Sequence, residues 1–228
     1  MGDWGLYFLF LIPPLVIGLA VQAWLKRTFS HYSQVQLASG LTGADVARHI
    51  LDRNGLEDVP VQRAKGGPLS DYFDPRSRSL HLSQPVFEPP SVSAAAVAAH
   101  ESGHALQLAS GYAPLRLRSA MFPVVAFASS AWIWLLLIGA LLNALNLVAV
   151  ALILYAVAVL FHIVTLPVEF NASRRAGTQV RELGLVTAGE YEGVQKVLRA
   201  AALTYVAGAL AALSQLLYYL IVFFGNRS

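Results

Sequence analysis

From Met121 to Val168 the chain carries no Asp, Glu, Lys or Arg. A run of that length has nothing to offer to water. A membrane-spanning helix needs about 20 apolar residues, so the run holds two spans. The wider composition agrees. Charged residues make up 13% of the chain, against roughly 25% in ordinary soluble domains. The sequence therefore predicts an integral membrane protein, mainly α. With no cysteine, disulfide frameworks, thiolate metal sites and cysteine nucleophiles are excluded. A net charge of +3 with scattered basic residues lacks the basic and aromatic pattern of a nucleic-acid surface.

Four spans are expected. The first covers about Trp4–Leu25 and contains Pro13 and Pro14, which should kink it. Asp3 precedes this span and Lys26-Arg27 follow it. That order suits a retained anchor better than a cleaved signal peptide, which wants its basic residues first. The second and third spans, Pro123–Leu142 and Leu147–Val168, form a hairpin turning at Asn143 to Asn146. The fourth, Leu203–Phe224, carries small residues at Ala207, Gly208, Ala211 and Ala212 that suit close helix packing. The divisions are then 1–25, 26–120, 121–168, 169–202 and 203–228. The segments 26–120 and 169–202 lie on one side and hold most of the basic residues. The positive-inside bias places that side in the cytoplasm. Arg116 and Arg118 read as part of that bias, as anchors rather than substrate clamps.

The longer polar segment reads as a small α+β unit. In "LTGADVARHILDRNGL", Thr42 and Asp45 form a capping box and Gly55 ends a short helix. "VPVQRAKGGPLSDYFDPRSRSLHLS" reads as short strands about a Gly-Gly turn, with "RSLHLS" as an edge strand. "SVSAAAVAAHESGHALQLASG" reads as a helix capped by Ser91 or Ser93 and ended by Gly111. Thr187 and Glu190 form a second capping box that opens a helix.

The chemistry lies in His100-Glu101-Ser102-Gly103-His104, an HExxH string. Residues i and i+4 share a helix face, so the two histidines can present their rings to one metal. Glu101 lies beside them, placed to take a proton from a zinc-bound water. From the residue frequencies, a chance HExxH in this chain is on the order of one in two hundred. A catalytic zinc wants a third protein ligand and an open position. Glu169 is the first charge after the long uncharged run and lies on the same side as the histidine pair. It is a better candidate than His31, His49 or His81 upstream, or than His162, which lies about two turns inside the third span.

"AAHESGHALQ", "GYAPLRLRSA", "TLPVEFNASRRA" and "AALTYVAGAL" together resemble the YugP-type family of neutral zinc metallopeptidases of bacterial membranes. The likeness spans nearly the whole chain. Where the family pattern reads Asp-His-Tyr-Asp-Pro, this chain has Asp71-Tyr72-Phe73-Asp74-Pro75 and lacks the histidine. The resemblance implies a metalloprotease of the bacterial plasma membrane. It also implies Glu169 as third ligand, as in gluzincins, with Asn171 and Arg174 as candidates to orient the ligands.

The expected protein is a four-span membrane protein with a zincin-like α+β unit on the cytoplasmic face. Zinc is held by His100, His104 and Glu169, with Glu101 as the catalytic base. The expected substrate is a peptide or membrane protein, lying extended along the "SLHLS" strand, where His81 could touch it. The rival reading is a non-proteolytic scaffold or chaperone with a structural metal site. Against it, Glu101 serves no structural site.

Overall fold

The computed structural model describes residues 4–67 and 70–225. Among the described residues, four helices are long and apolar enough to cross a membrane. They are α1 (Trp4–Ser33), α5 (Ala113–Leu141), α6 (Leu145–Glu182) and α7 (Ala188–Gly225). Between α1 and α5 lie helix α2 (Gly43–Arg53), strands β1 (Val61–Arg63), β2 (Tyr72–Asp74) and β3 (Ser79–Leu82), the short helix α3 (Gln84–Phe87), and helix α4 (Val92–Ala109).

The long helices alternate in direction. Ser214 Oγ near the end of α7 donates to the Phe10 carbonyl near the start of α1 at 2.7 Å. Tyr7 and Tyr218 meet edge to face, with centroids 5.3 Å apart. Within the span region, Tyr155 of α6 donates to Gln215 of α7 at 3.2 Å and packs on Trp132 of α5. A hydrogen bond between helices replaces the water that lipid cannot supply. The α5–α6 hairpin turns through Leu142–Ala144, with Asn143 at φ 53°. Gly139 lies so close to Leu147 and Val148 that a side chain would not fit. Pro13 and Pro14 lie within one unbroken helix. His162 faces Gly208 of α7.

The spans do not end where the apolar runs end. Helix α6 passes through Glu169 without a break and projects to Glu182. Helix α7 starts at Ala188 and runs straight into its apolar part. Both extensions are amphipathic outside the apolar region: Ala172, Ala176 and Val180 of α6, and Val194, Val197 and Leu198 of α7, are buried. They join α2 and the sheet in one core around α4.

Helix α4 explains its own alanines. Ser91 caps it, accepting from Ala94 N at 3.2 Å. Ala94, Ala95, Ala96, Ala98 and Ala99 are all fully buried, because α2, α6 and α7 pack round the helix. Small side chains let neighbouring helices approach from several directions at once. At Gly103 the approach is closest. A Cβ there would stand 2.6 Å from the Ala172 carbonyl oxygen of α6.

Helix α2 forms as its sequence predicts. Thr42 and Asp45 make the reciprocal capping box, and Val46, Ala47, Ile50 and Leu51 are buried. The sheet differs from expectation. Its order is β1-β3-β2, with β1 parallel and β2 antiparallel to β3. "SLHL" is thus the central strand rather than an edge. Both of its edges are already paired, so no peptide can add to it. Leu80 and Leu82 face the core and are fully buried, which is what pulls this strand to the middle. Within the described residues the strand beside the site is β2.

The Gly103–Ala172 contact yields a test. Gly103→Ala should lower the melting temperature of the purified protein by an amount equivalent to about 1–3 kcal/mol of overpacking. It should also weaken metal binding, because α4 and α6 cannot part without separating the groups described next.

Candidate metal centre

His100 and His104 project from one face of α4, and Glu169 meets them from α6. One ligand atom from each lies within 4.8 Å of the others. Glu169 Oε2 is 3.2 Å from His100 Nε2 and 3.6 Å from His104 Nε2. Zinc holds nitrogen and oxygen ligands at about 2.0–2.2 Å, so neighbouring donors on a tetrahedral shell stand about 3.3–3.5 Å apart. The observed spacing suits such a shell. The donor set, two imidazoles and one carboxylate, suits zinc and leaves a fourth position for water or substrate. The side chains of His100, His104 and Glu169 are 13%, 12% and 2% exposed. A buried carboxylate between two imidazoles is a costly arrangement unless a cation or protons compensate it.

The rings are oriented from behind. His104 Nδ1 lies 3.0 Å from Gln107 Oε1. The Gln107 amide nitrogen is used in donating to the Val168 carbonyl at 2.8 Å and to Asn171 Oδ1 at 3.0 Å. Its oxygen is therefore the acceptor, an arrangement that suits a proton on His104 Nδ1 and turns Nε2 towards Glu169. Ser173 Oγ contacts His100 Nδ1 at 3.2 Å. Both partners sit one helical turn from a ligand: Gln107 is three residues after His104, and Ser173 is four after Glu169. Helical spacing alone could have found them.

Arg118 was not legible in this way. It reads as a membrane anchor, but its Nη1 lies 3.2 Å from Glu169 Oε1. The guanidinium engages the carboxylate oxygen that faces away from the histidines. It leaves Oε2 as the atom aimed at them. Arg118 comes from the second turn of α5, and only the folded α5–α6 hairpin brings it to Glu169. Arg116 lines the same cleft nearby.

Glu101 is buried and lines this cleft with His104 and Glu169. Among the described residues no hydrogen bond or ion pair engages its carboxylate. Burial pushes its pKa above the usual carboxylate range, against the pull of His100 and His104. For His104, burial favours the neutral ring, but the carboxylates of Glu169 and Glu101 outweigh it and raise the pKa. A metal ion must displace that proton to bind. The cleft has a volume of about 810 Å³. Strand β2 and its flanks, from Asp71 to Arg76, form one wall. The first turns of α5 form the other, with Leu115, Arg118 and Phe122, and Tyr205 of α7 closes in beside Glu169. Asp71 is held by Ser83, whose backbone N–H donates at 2.7 Å. Burial still raises the Asp71 pKa.

The remaining candidates fall further out. Asn171 reaches His104 only through Gln107. Arg174 is exposed, and it is Arg175 whose Nε donates to Asn171 Oδ1 at 2.8 Å. His81 bonds Ser79 Oγ at 2.8 Å and stacks on Tyr72, and it does not line the cleft.

Comparison with known proteins converges on the same chemistry. A family model described as "Putative neutral zinc metallopeptidase" matches residues 7–224. The chain belongs to this family. A "Putative membrane protease YugP" from Bacillus subtilis (strain 168) is 48% identical over 221 residues, covering 96% of this chain and 98% of the relative. No solved structure gives a significant match. Membership of a zinc peptidase family implies zinc, and the two histidines and one glutamate brought together here are ligands of the right kind.

The relay behind His104 can be tested without an activity assay. Gln107→Leu keeps the side-chain volume roughly but removes the acceptor for the His104 proton. Zinc affinity, measured by competition with a chromogenic chelator, should fall about 10–100-fold.

Proposed function

We propose that the protein is a membrane-embedded zinc endopeptidase that hydrolyses peptide bonds at the membrane surface. The observation that carries this reading is the meeting of His100, His104 and Glu169 in a cleft that Glu101 also lines. A zinc ion held by the three ligands would polarise the scissile carbonyl and acidify a water molecule beside it.

The chain's own residues then have separable tasks. Glu101, with a raised pKa and no competing partner, takes the proton of the attacking water and passes it to the leaving amine. Arg118 holds Glu169 by the oxygen turned from the histidines and keeps the metal-facing oxygen in place. Gln107 and Ser173 fix the imidazole planes. Burial of the whole group strengthens each of these electrostatic contacts by excluding water.

Strand β2, which lines the cleft and among the described residues pairs with β3 on one side only, is the strand on which an extended substrate would pair, in place of the central β3. Because the opposite wall belongs to a span helix, the substrate is a peptide segment close to the membrane, such as the flank of another membrane protein. The helices carry most of the basic residues at the end where the site lies, which supports a cytoplasmic active site. In a bacterium this would be the plasma membrane. A scaffold with a structural metal site is less well supported, because it would have no use for a buried, unpaired carboxylate at Glu101.

Three outcomes are expected. Glu101→Gln should keep one zinc per chain yet lose cleavage of a casein-type substrate by about 10²–10⁴-fold. Preserved proteolysis in that variant would sink the mechanism. Glu169→Ala should lose tightly held zinc on dialysis. For sidedness, the absence of native cysteine allows single-cysteine labelling in spheroplasts. Asn146→Cys should react with an impermeant maleimide and Glu57→Cys should not, and the opposite pattern would place the site outside.

A further inference from the structure

Beside the metal cleft lies a second, separate hollow of about 410 Å³. It is lined by Leu56 and Val59 after α2, Phe73 and Pro75 of the β2 region, and Ala105 and Leu108 of α4, with Ala109 and Arg78 at the rim. Its floor is apolar: Leu56, Val59, Phe73 and Ala105 are all buried. Among the described residues the one charged residue that lines it, Arg78, is engaged by Asp58 at 3.2 Å. The hollow shares Phe73, Pro75 and Leu108 with the metal cleft. The two spaces are therefore neighbours along one wall.

We infer that this hollow is the specificity pocket of the site and takes one bulky apolar side chain, Leu-like or Phe-like, of the peptide substrate. The inference rests on the proposed peptidase function. The occupant follows from position and chemistry. A chain lying in the metal cleft passes Phe73, Pro75 and Leu108, and a side chain turned past them meets Leu56, Val59 and Ala105, with the Asp58-paired Arg78 at the rim. Burying an apolar group there removes apolar surface of both partners from water, whereas a charged side chain would lose its hydration and meet only Arg78, whose charge Asp58 already answers. The register follows from helix and strand geometry. Leu108 is one turn beyond His104 on α4, about 6 Å along the axis. An extended chain advances about 3.3 Å per residue, so the pocket serves a residue roughly two positions from the scissile bond.

The small residues of α4 set the depth. Ala105 forms part of the floor and Ala109 part of the mouth, so a larger side chain at Ala109 closes the hollow without touching a metal ligand. Leu108→Ala acts the other way and widens the shared wall.

The test uses the full-length protein in detergent and peptides of one cleavable sequence. Single positions on either side of the scissile bond carry Ala, Leu, Phe or Glu. The wild type should prefer Leu or Phe over Ala at one position by about tenfold or more in kcat/KM, and reject Glu there. Ala109→Phe should erase that preference, and Leu108→Ala should move it from Leu towards Phe. Zinc content reports whether each variant has kept its fold; if Ala109→Phe has not, Ala109→Leu takes its place. Cleavage indifferent to all positions, as expected if a lipid chain fills the hollow instead, overturns the pocket. So does an unchanged Leu-to-Ala ratio in a zinc-loaded Ala109 variant. Wild type that binds zinc and cleaves nothing overturns the peptidase reading itself, an outcome distinct from cleavage without apolar preference.

Discussion

The backbone of α4 at Gly103 lies against the backbone of α6 at Ala172, and most of what is distinctive here depends on that approach. It sets Glu169, one turn before Ala172, beside the two histidines that flank Gly103. A larger residue at Gly103 would push the helices apart by a substantial part of a side-chain diameter. A tetrahedral ligand set tolerates no such shift, since its donors must stay within about 0.2 Å of their working distances. The buried alanines on the rest of α4 serve the same end, because α2 and α7 must also come close for the core to close round the motif helix.

The second organising feature is continuity. Helix α6 is at once a candidate span, the source of Glu169, and a core helix of the polar unit. The His100, His104 and Glu169 cluster is therefore built directly onto the bundle of apolar helices, with no linker between them. Arg118 reinforces this from α5, tying the other strut of the hairpin to the same carboxylate. A site assembled from rigid helices holds its geometry better than one assembled from loops. The cost is that anything that shifts the hairpin is felt at Glu169 and the two histidines. The cleft inherits its character from the same arrangement. Strand β2 and its flanks form one wall, and the first turns of the apolar helix α5 form the other.

Much of this was legible from the residues. The uncharged run announced the hairpin, the capping boxes at Thr42–Asp45 and Thr187–Glu190 announced two helix starts, and the HExxH spacing announced a paired-histidine face. Glu169 stood out because a carboxylate at the end of an apolar run is expensive to keep without a purpose. Other features were not legible. The place of "SLHL" in the centre of the sheet depends on which strand can bury Leu80 and Leu82 against the helices, and alternation alone does not tell a central strand from an edge. Arg118 carries the pattern of an interfacial anchor, and its partner is known only once α5 and α6 are folded back on each other. Arg174 and Arg175 look alike in sequence, and the helix phase alone decides which of them meets Asn171.

The division has a simple physical basis. Local periodicity, caps and hydropathy act over a few turns of chain, so the sequence by itself determined four apolar helices, the motif helix, and two histidines sharing a face. The approach of Glu169, the arginine behind it, the strand order, and the hollow beside the cleft all join groups far apart in the chain. Their positions depend on how closely whole helices pack, and that was decided only when the small residues of α4 met α6 in the tertiary structure.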